Sequence, residues 1–259
     1  SRRNRLGRLA DIVLTVLSQG IKCDVAVIEV YSGKSMILAD LASWLCSAIR
    51  LPVVMVLHGG KLPEFVDDKL RWSRRVLRRA AALVAPSNFL ADQIGSRGFR
   101  VSVIPNVIDI GAETHRTRRI LEPKLFWMRS FHSIYNPRMA VEVLADVVKD
   151  HPEAILVMAG ADKGLMGDVN RMAHELGLAR NISFPGFLDD RGKAVQFDAA
   201  DIYLNTNHID NMPVSVVEAA ANGLAIVATD VGGLRHLITD GVDGMLVPDN
   251  DVQAMSAAV

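Results

Sequence analysis

Two carboxylates in the spacing Asp210-x7-Glu218 bracket the segment Asn211-Met212-Pro213-Val214, and they are the most specific chemical signal in the chain. The pattern predicts a polar loop entering a helix over 213–222, with Pro213 in its first turn and Asn211 or Asp210 as its cap. Free N–H groups at such a helix start favour a phosphate. Glu218 lies further along, where a carboxylate can accept two hydroxyl hydrogen bonds of the kind a ribose offers. An ordinary capped helix with a solvated glutamate shows the same pattern. Arg129 follows an apolar run at 124–128, and a guanidinium fork at a strand end suits phosphate oxygens. A surface ion pair is the alternative. His58-Gly59-Gly60 follows another run at 53–57. The glycines admit close backbone approach, and the imidazole can donate to a sugar hydroxyl or stabilise charge. A histidine satisfying a loop carbonyl would look alike.

These residues depend on elements that aim them. Strand-like runs near 24–30, 53–57, 82–85, 101–104, 124–128, 154–159, 182–184, 201–205, 225–228 and 245–247 alternate with helical patterns. The helices fit 6–19, 35–49, 69–80, 87–96, 138–149, 165–176, 190–199, 213–222, 232–239 and 250–258. Regular alternation of this kind predicts an α/β fold of two doubly wound parallel sheets. Ligands of such sheets bind beyond the carboxyl ends of the strands. Arg129, the turn Gly160-Ala161-Asp162, Thr206-Asn207-His208 with 210–218, and Thr229-Asp230-Val231-Gly232-Gly233 all occupy such ends. Their convergence is a stronger signal than any one of them. Residues 106–122 break the alternation and read as the connection between domains 1–110 and 111–259. The chain opens on a helical pattern, so the first domain is expected to lack its first strand and to be incomplete. It ends within a helical pattern at 257–259.

Composition narrows the function classes. Half of the 259 residues are hydrophobic, aromatics are few, and the net charge is zero. Ala, Val, Leu and Ile dominate, as in buried parallel sheets. No apolar run approaches the about 20 residues of a membrane helix. Cys23 and Cys46 form neither a metal spacing nor a disulfide framework, so a cytoplasmic setting is expected. Basic residues predominate in 1–110 and acidic ones in 111–259. Arg71, Arg74, Arg75, Arg78 and Arg79, with Trp72, sit on the expected helix 69–80. That helix could lie on an anionic membrane surface, or could simply present a solvated basic face. There is no P-loop, no nucleophile elbow and no nucleic-acid pattern of basic and aromatic residues.

With these residues assembled, the chain resembles the GT-B glycosyltransferases of family 4 over nearly its whole length. Asp210-x7-Glu218 looks like that family's E-x7-E signature. Val103-Ile104-Pro105-Asn106-Val107-Ile108-Asp109 is similar to its interdomain segment. Ala85-Pro86-Ser87, His58-Gly59, and the turn from Asp240-Gly241 to Leu246-Val247-Pro248 match further motifs. The resemblance implies two Rossmann-like domains facing a cleft, with 1–110 as the acceptor side and 111–259 as the donor side. It implies hexosyl transfer from a nucleotide-diphosphate sugar, with retention and without metal or cofactor. Arg129 would pair with the diphosphate, stabilising its developing charge. His58 would contact the sugar beside Gly59 and Gly60. Asp210, Asn211, Met212, Pro213 and Val214 would face the sugar and diphosphate, and Glu218 the ribose. The acceptor would be a glycan, a lipid or a small molecule. The setting would be cell-envelope or polysaccharide synthesis, cytoplasmic or peripheral at the inner membrane face, with no nucleic-acid partner.

The chain departs from the family in three places. Tyr135 stands where a lysine usually follows the arginine, Asp210 is one methylene shorter than the usual glutamate, and His236 replaces a glutamate. Two other functions fit the same residues. A non-catalytic nucleotide-sugar-binding protein would bind donor without turnover. A GT-B epimerase would need no acceptor.

Overall fold

The computed structural model describes residues 5–108 and 115–259. The chain divides into two units, Ser1–Pro105 and Asn106–Val259. The expected 110/111 boundary and Asp109 lie outside the described residues.

In the first unit, β1 (Ala26–Val30), β2 (Val53–Leu57), β3 (Ala82–Ala85) and β4 (Val101–Val103) form one parallel sheet in the order β1-β2-β3-β4. The helices are α1 (Arg5–Gln19), α2 (Met36–Ala48), α3 (Leu62–Asp68), α4 (Leu70–Leu77) and α5 (Asn88–Gly95). Val53, Met55 and Leu57 alternate along β2 into a core with Met36, Leu62, Val76, Leu90 and Ile94. Period-two alternation places one strand face on that core. α5 begins where the Ser87 hydroxyl accepts the Leu90 N–H at 3.2 Å, satisfying one of the helix's orphan donors.

The helix expected over 69–80 is shorter, and α3, which the pattern did not predict, precedes it. α3 is seven residues long, too short for a periodic signal, and is held by burial of Leu62, Pro63 and Val66. The basic face of α4 is not wholly solvated. Arg75 (2.8 Å), Arg79 (2.5 Å) and the Trp72 indole (2.6 Å) all donate to the Asp40 carboxylate of α2. Arg71, Arg74 and Arg78 are exposed. β1 lies at the sheet edge. Its Ala26 N–H and Val30 C=O bond toward β2, so the main-chain groups of Val27 turn the other way. Val27 itself is 62% exposed.

In the second unit, β5 (Lys124–Met128), β6 (Ile155–Ala159), β7 (Ile182–Gly186), β8 (Ile202–Asn205), β9 (Ala225–Thr229) and β10 (Met245–Val247) form a parallel sheet ordered β10-β9-β8-β5-β6-β7. The helices are α6 (Pro137–Asp150), α7 (Met166–Glu175), α8 (Asp190–Ala199), α9 (Val214–Ala221) and α10 (Val252–Ala258). The adjacent residues Phe126 and Trp127 of β5 point to opposite faces, and both are fully buried. Trp127 packs with Phe131 and Leu144 on one face, Phe126 with Tyr203 and Phe197 on the other. Such two-sided burial is the reason these strands read as continuous apolar runs.

The strand order reverses between β5 and β8, giving a switch point where a crevice opens beyond the strand ends. Over the helix expected at 232–239 there is only a single 3-10 turn, Leu234–His236. Gly232, with φ of 56°, precedes it, and the Asp240–Gly244 bridge follows it.

The segment expected to link the domains is fastened to the second unit from His115 onward. Arg118 is buried with Asp201, each side chain 1% exposed. Its guanidinium also donates to the carbonyls of Ala200, Asn222 and Phe197.

Candidate functional site

The ends of β5 and β8 bring together the residues that the sequence singled out in the second unit. Arg129 leaves β5 directly. Its position depends on Gly160 at the end of β6, where an added Cβ would stand 1.9 Å from the Arg129 carbonyl oxygen. It depends also on Tyr203 of β8, whose hydroxyl donates to the Met128 carbonyl at 3.1 Å. Burial pushes that phenol up to about 12, so it remains a donor at every physiological pH.

Arg129 forms a close ion pair with Asp210 through Nη2. Asn207 Nδ2 donates to the same carboxylate at 2.5 Å, and the Asn211 N–H donates to its other oxygen at 2.8 Å. Asp210 is only 12% exposed. Burial raises its pKa above the ordinary carboxylate value, although Arg129, the Asn211 N–H and Asn207 pull the other way. The Asp210 loop is held by the Gly233 N–H, which donates to the Asp210 carbonyl at 3.0 Å. Gly232 has φ of 56°, and an added Cβ would lie 2.0 Å from that same oxygen. The Gly232-Gly233 pair therefore serves close packing of this loop.

The expected cap of α9 is corrected. Pro213 precedes the helix as its N-cap, and no side chain caps it. Asp210 and Asn211 are occupied elsewhere, Asp210 by Arg129 and Asn207, and Asn211 by burial in the loop. The Met212 carbonyl accepts from Asn106 Nδ2 at 3.1 Å. Val214 opens the helix.

Glu218 is not a solvated glutamate. It is 13% exposed, and its Oε1 accepts from Lys193 Nζ at 2.9 Å. That hydrogen bond is the chief reason the Lys193 pKa is raised. Lys193 and Arg129 line one cavity of about 510 Å³ with Gly160, Phe187, Asp189 and Asp190. This volume falls within the range of small-molecule sites. Each carboxylate of Asp210-x7-Glu218 thus backs one cation of the cavity.

Lys193 is a residue that sequence reasoning missed. It follows β7, whose ending looks like a plain helix cap, since Asp189 does accept the Gly192 N–H at 2.8 Å. The available signal was a lysine in the first turn of a helix after a strand end. Of the other strand-end residues, Asn207 and Thr229 are structural: Thr229 Oγ1 donates to the Asn207 carbonyl at 2.6 Å. His208 pairs with Asp249 at 2.9 Å.

His58, Gly59 and Gly60 belong to the first unit. The His58 imidazole Nε2 lies against the Glu29 carboxylate of β1, and the ring stacks on Tyr31, with ring centroids 4.9 Å apart. Gly59 has φ of 83°, a turn conformation that favours glycine.

Two parallel-sheet, Rossmann-like units, one with a cavity lined by two paired cations beyond its strand ends, define a protein of the GT-B class. The description "Glycosyl transferases group 1" matches residues 121–259, and "Glycosyltransferase Family 4" matches residues 3–112. The chain belongs to the group 1 glycosyltransferases. A phosphatidyl-myo-inositol mannosyltransferase of Mycobacterium leprae is 26% identical over 85% of this chain. One from Mycobacterium tuberculosis strain H37Rv is 31% identical over 64% of it. The chain spans 60% and 45% of their lengths, respectively. Among solved structures, Anabaena HepE in complex with UDP and glucose superposes with a TM-score of 0.81. It is 21% identical, over 98% of this chain and 72% of that one. Sucrose-phosphate synthase from Thermosynechococcus elongatus gives 0.78 at 17% identity, over 100% and 69%.

Proposed function

We propose that the second unit binds a nucleotide-diphosphate sugar, and that the whole protein transfers its hexosyl group to a hydroxyl acceptor. The observation that carries this reading is the pairing of Arg129 with Asp210 and of Lys193 with Glu218, the two cations lining one cavity beyond the ends of β5, β6 and β7. Two cations there favour an anionic ligand, and Glu218 favours a ribose diol. As the bond from the anomeric carbon to the diphosphate breaks, negative charge grows on the leaving oxygen. Arg129 stabilises that charge in a site already organised for it. These fixed charges support departure without a metal. Retention of configuration rests on the family resemblance, as does the assignment of His58 to the sugar.

The mycobacterial relatives, phosphatidyl-myo-inositol mannosyltransferases, support a mannosyl group and an inositol-bearing lipid acceptor. Among the described residues, no helix is long and apolar enough to cross a membrane. The exposed Arg71, Arg74 and Arg78 support peripheral contact with an anionic surface on the cytoplasmic side. The experiment is a thermal-shift panel of nucleoside diphosphates, followed by transfer from the stabilising donor. A ligand that binds only the native state raises the apparent stability. Product bearing the donor's anomeric configuration supports the reading. Binding without turnover assigns a binding protein instead, the alternative that Tyr135 in place of lysine favours. Epimerised donor in the absence of acceptor assigns an epimerase.

A further inference from the structure

We propose that Tyr135 is the positioning residue for Arg129, its ring forming the wall that holds the guanidinium over the donor cavity. This rests on the donor-site reading above. The Arg129 Cζ lies 4.2 Å from the Tyr135 ring centroid. At that distance the ring face attracts the cation. Asp210 takes Nη2 alone, and among the described residues the buried Nε has no partner. A guanidinium carries five N–H groups. The arginine is thus held by one carboxylate and one ring face, with hydrogen-bonding capacity unspent.

The ring is itself anchored. Tyr135 ends a 3-10 turn over Ser133–Tyr135 in which its N–H donates to the His132 carbonyl at 2.9 Å. Its carbonyl accepts from Thr206 Oγ1 at 2.8 Å, and Thr206 accepts from the fully buried Trp127 indole at 2.9 Å. The next residue, Asn136, has φ of 44° and turns the chain into α6. The side chain of Tyr135 packs against the core of the second unit. A chain of bonds from the sheet interior therefore fixes the main chain that carries the ring facing Arg129.

A lysine at 135 would add a charge but repel Arg129. Tyrosine adds no charge and restrains the one present. A restrained guanidinium loses less freedom on meeting a diphosphate, which is a gain in affinity without a new contact. The nucleoside half of the ligand has no share in this gain.

The test compares dissociation constants for UDP and GDP, and for uridine and guanosine, on the full protein. Tyr135→Phe keeps the ring and should stay within about twofold of wild type. Tyr135→Leu should weaken the nucleoside diphosphate that wild type binds by about five- to thirtyfold, the fold-change of a partly desolvated cation–π contact. The matching nucleoside should be unaffected. In an Arg129→Ala background, Tyr135→Leu should have no further effect, because the group it positions is gone. Should Tyr135→Leu lower the melting temperature, Tyr135→Met takes its place with the same expectations. Equal losses for diphosphate and nucleoside, a Phe variant as weak as Leu, additivity with Arg129→Ala, or a Leu variant as tight as wild type would each overturn the role of Tyr135 alone. Wild-type protein that binds neither diphosphate would overturn the donor-site reading, and this inference with it.

Discussion

At the scale of single residues, the site is a set of charges held by other charges. Arg129→Ala should weaken a nucleoside diphosphate far more than the corresponding nucleoside, since the fork recognises phosphate oxygens. Calorimetric titration with both ligands checks this; equal losses would mark Arg129 as structural. Glu218→Ala removes a charged hydrogen-bond partner worth roughly 1.5–3 kcal/mol per bond. Diphosphate affinity should therefore fall at least about tenfold with the fold intact. An unchanged affinity removes Glu218 from the site.

Asp210 has a raised pKa, so the native state favours its neutral form relative to the unfolded chain. The stability that this group contributes is present below the unfolded value of about 3.9 and lost as pH rises through the folded one. Asp210→Asn should accordingly be best tolerated at pH 7, and its advantage should vanish in acid. Denaturation midpoints across pH show whether that sign holds.

At the scale of elements, the joint between α2 and α4 has the opposite sign. Burial alone would raise the Asp40 pKa, but hydrogen bonds from Arg79, Trp72 and Arg75 together hold it below the ordinary value. Its contribution is present above the unfolded value of about 3.9 and disappears as pH falls through the folded one. Asp40→Asn should destabilise the first unit at pH 7 and make little difference in strong acid. A variant that costs as much in acid as at pH 7 would show that packing, not ionisation, carries this joint. The same network explains why the basic face of α4 was only partly legible. A run of arginines displays its charge in sequence, whereas their partner Asp40 is distant in the chain and becomes a neighbour only when α2 packs on α4.

At the scale of the whole molecule, the two units differ in how completely their strands are buried. The second has a packed core on each sheet face, whereas β1 of the first leaves Val27 and its open edge uncovered. Open edges and exposed apolar side chains lower local stability. Hydrogen exchange should show residues 26–103 less protected than 124–247, with nucleoside diphosphate adding protection near Arg129 and Glu218. Uniform protection without a ligand effect would count against both the weakness of the open β1 edge and the donor site. Arg118→Ala would remove one of the two arginines on buried Asp201, which keeps Arg116 at 2.9 Å, and should cost the second unit about 1.5–3 kcal/mol. A melting temperature within a degree of wild type would show instead that the segment from His115 is dispensable.

What the sequence alone determined is what short-range physics controls. The apolar runs located the strands, most clearly β5, β8 and β9, where burial on both faces leaves no room for polar positions. The polar and glycine-rich endings singled out Arg129 and Asp210 as candidates, because ligands of such sheets lie beyond the strand ends, and the spacing from Asp210 added Glu218. The short α3 escaped it, since a helix of one or two turns carries no period to read, and the helix expected over 232–239 is a single turn at Leu234–His236. Tertiary structure decided the partnerships. Glu218 holds Lys193, Asp210 holds Arg129 rather than capping α9, and Tyr135 faces the guanidinium. Asp210 reaches Arg129 because β8 and β5 are sheet neighbours, whereas Glu218 and Lys193 meet between α9 and α8; such pairing depends on packing geometry rather than on any local preference of the residues involved.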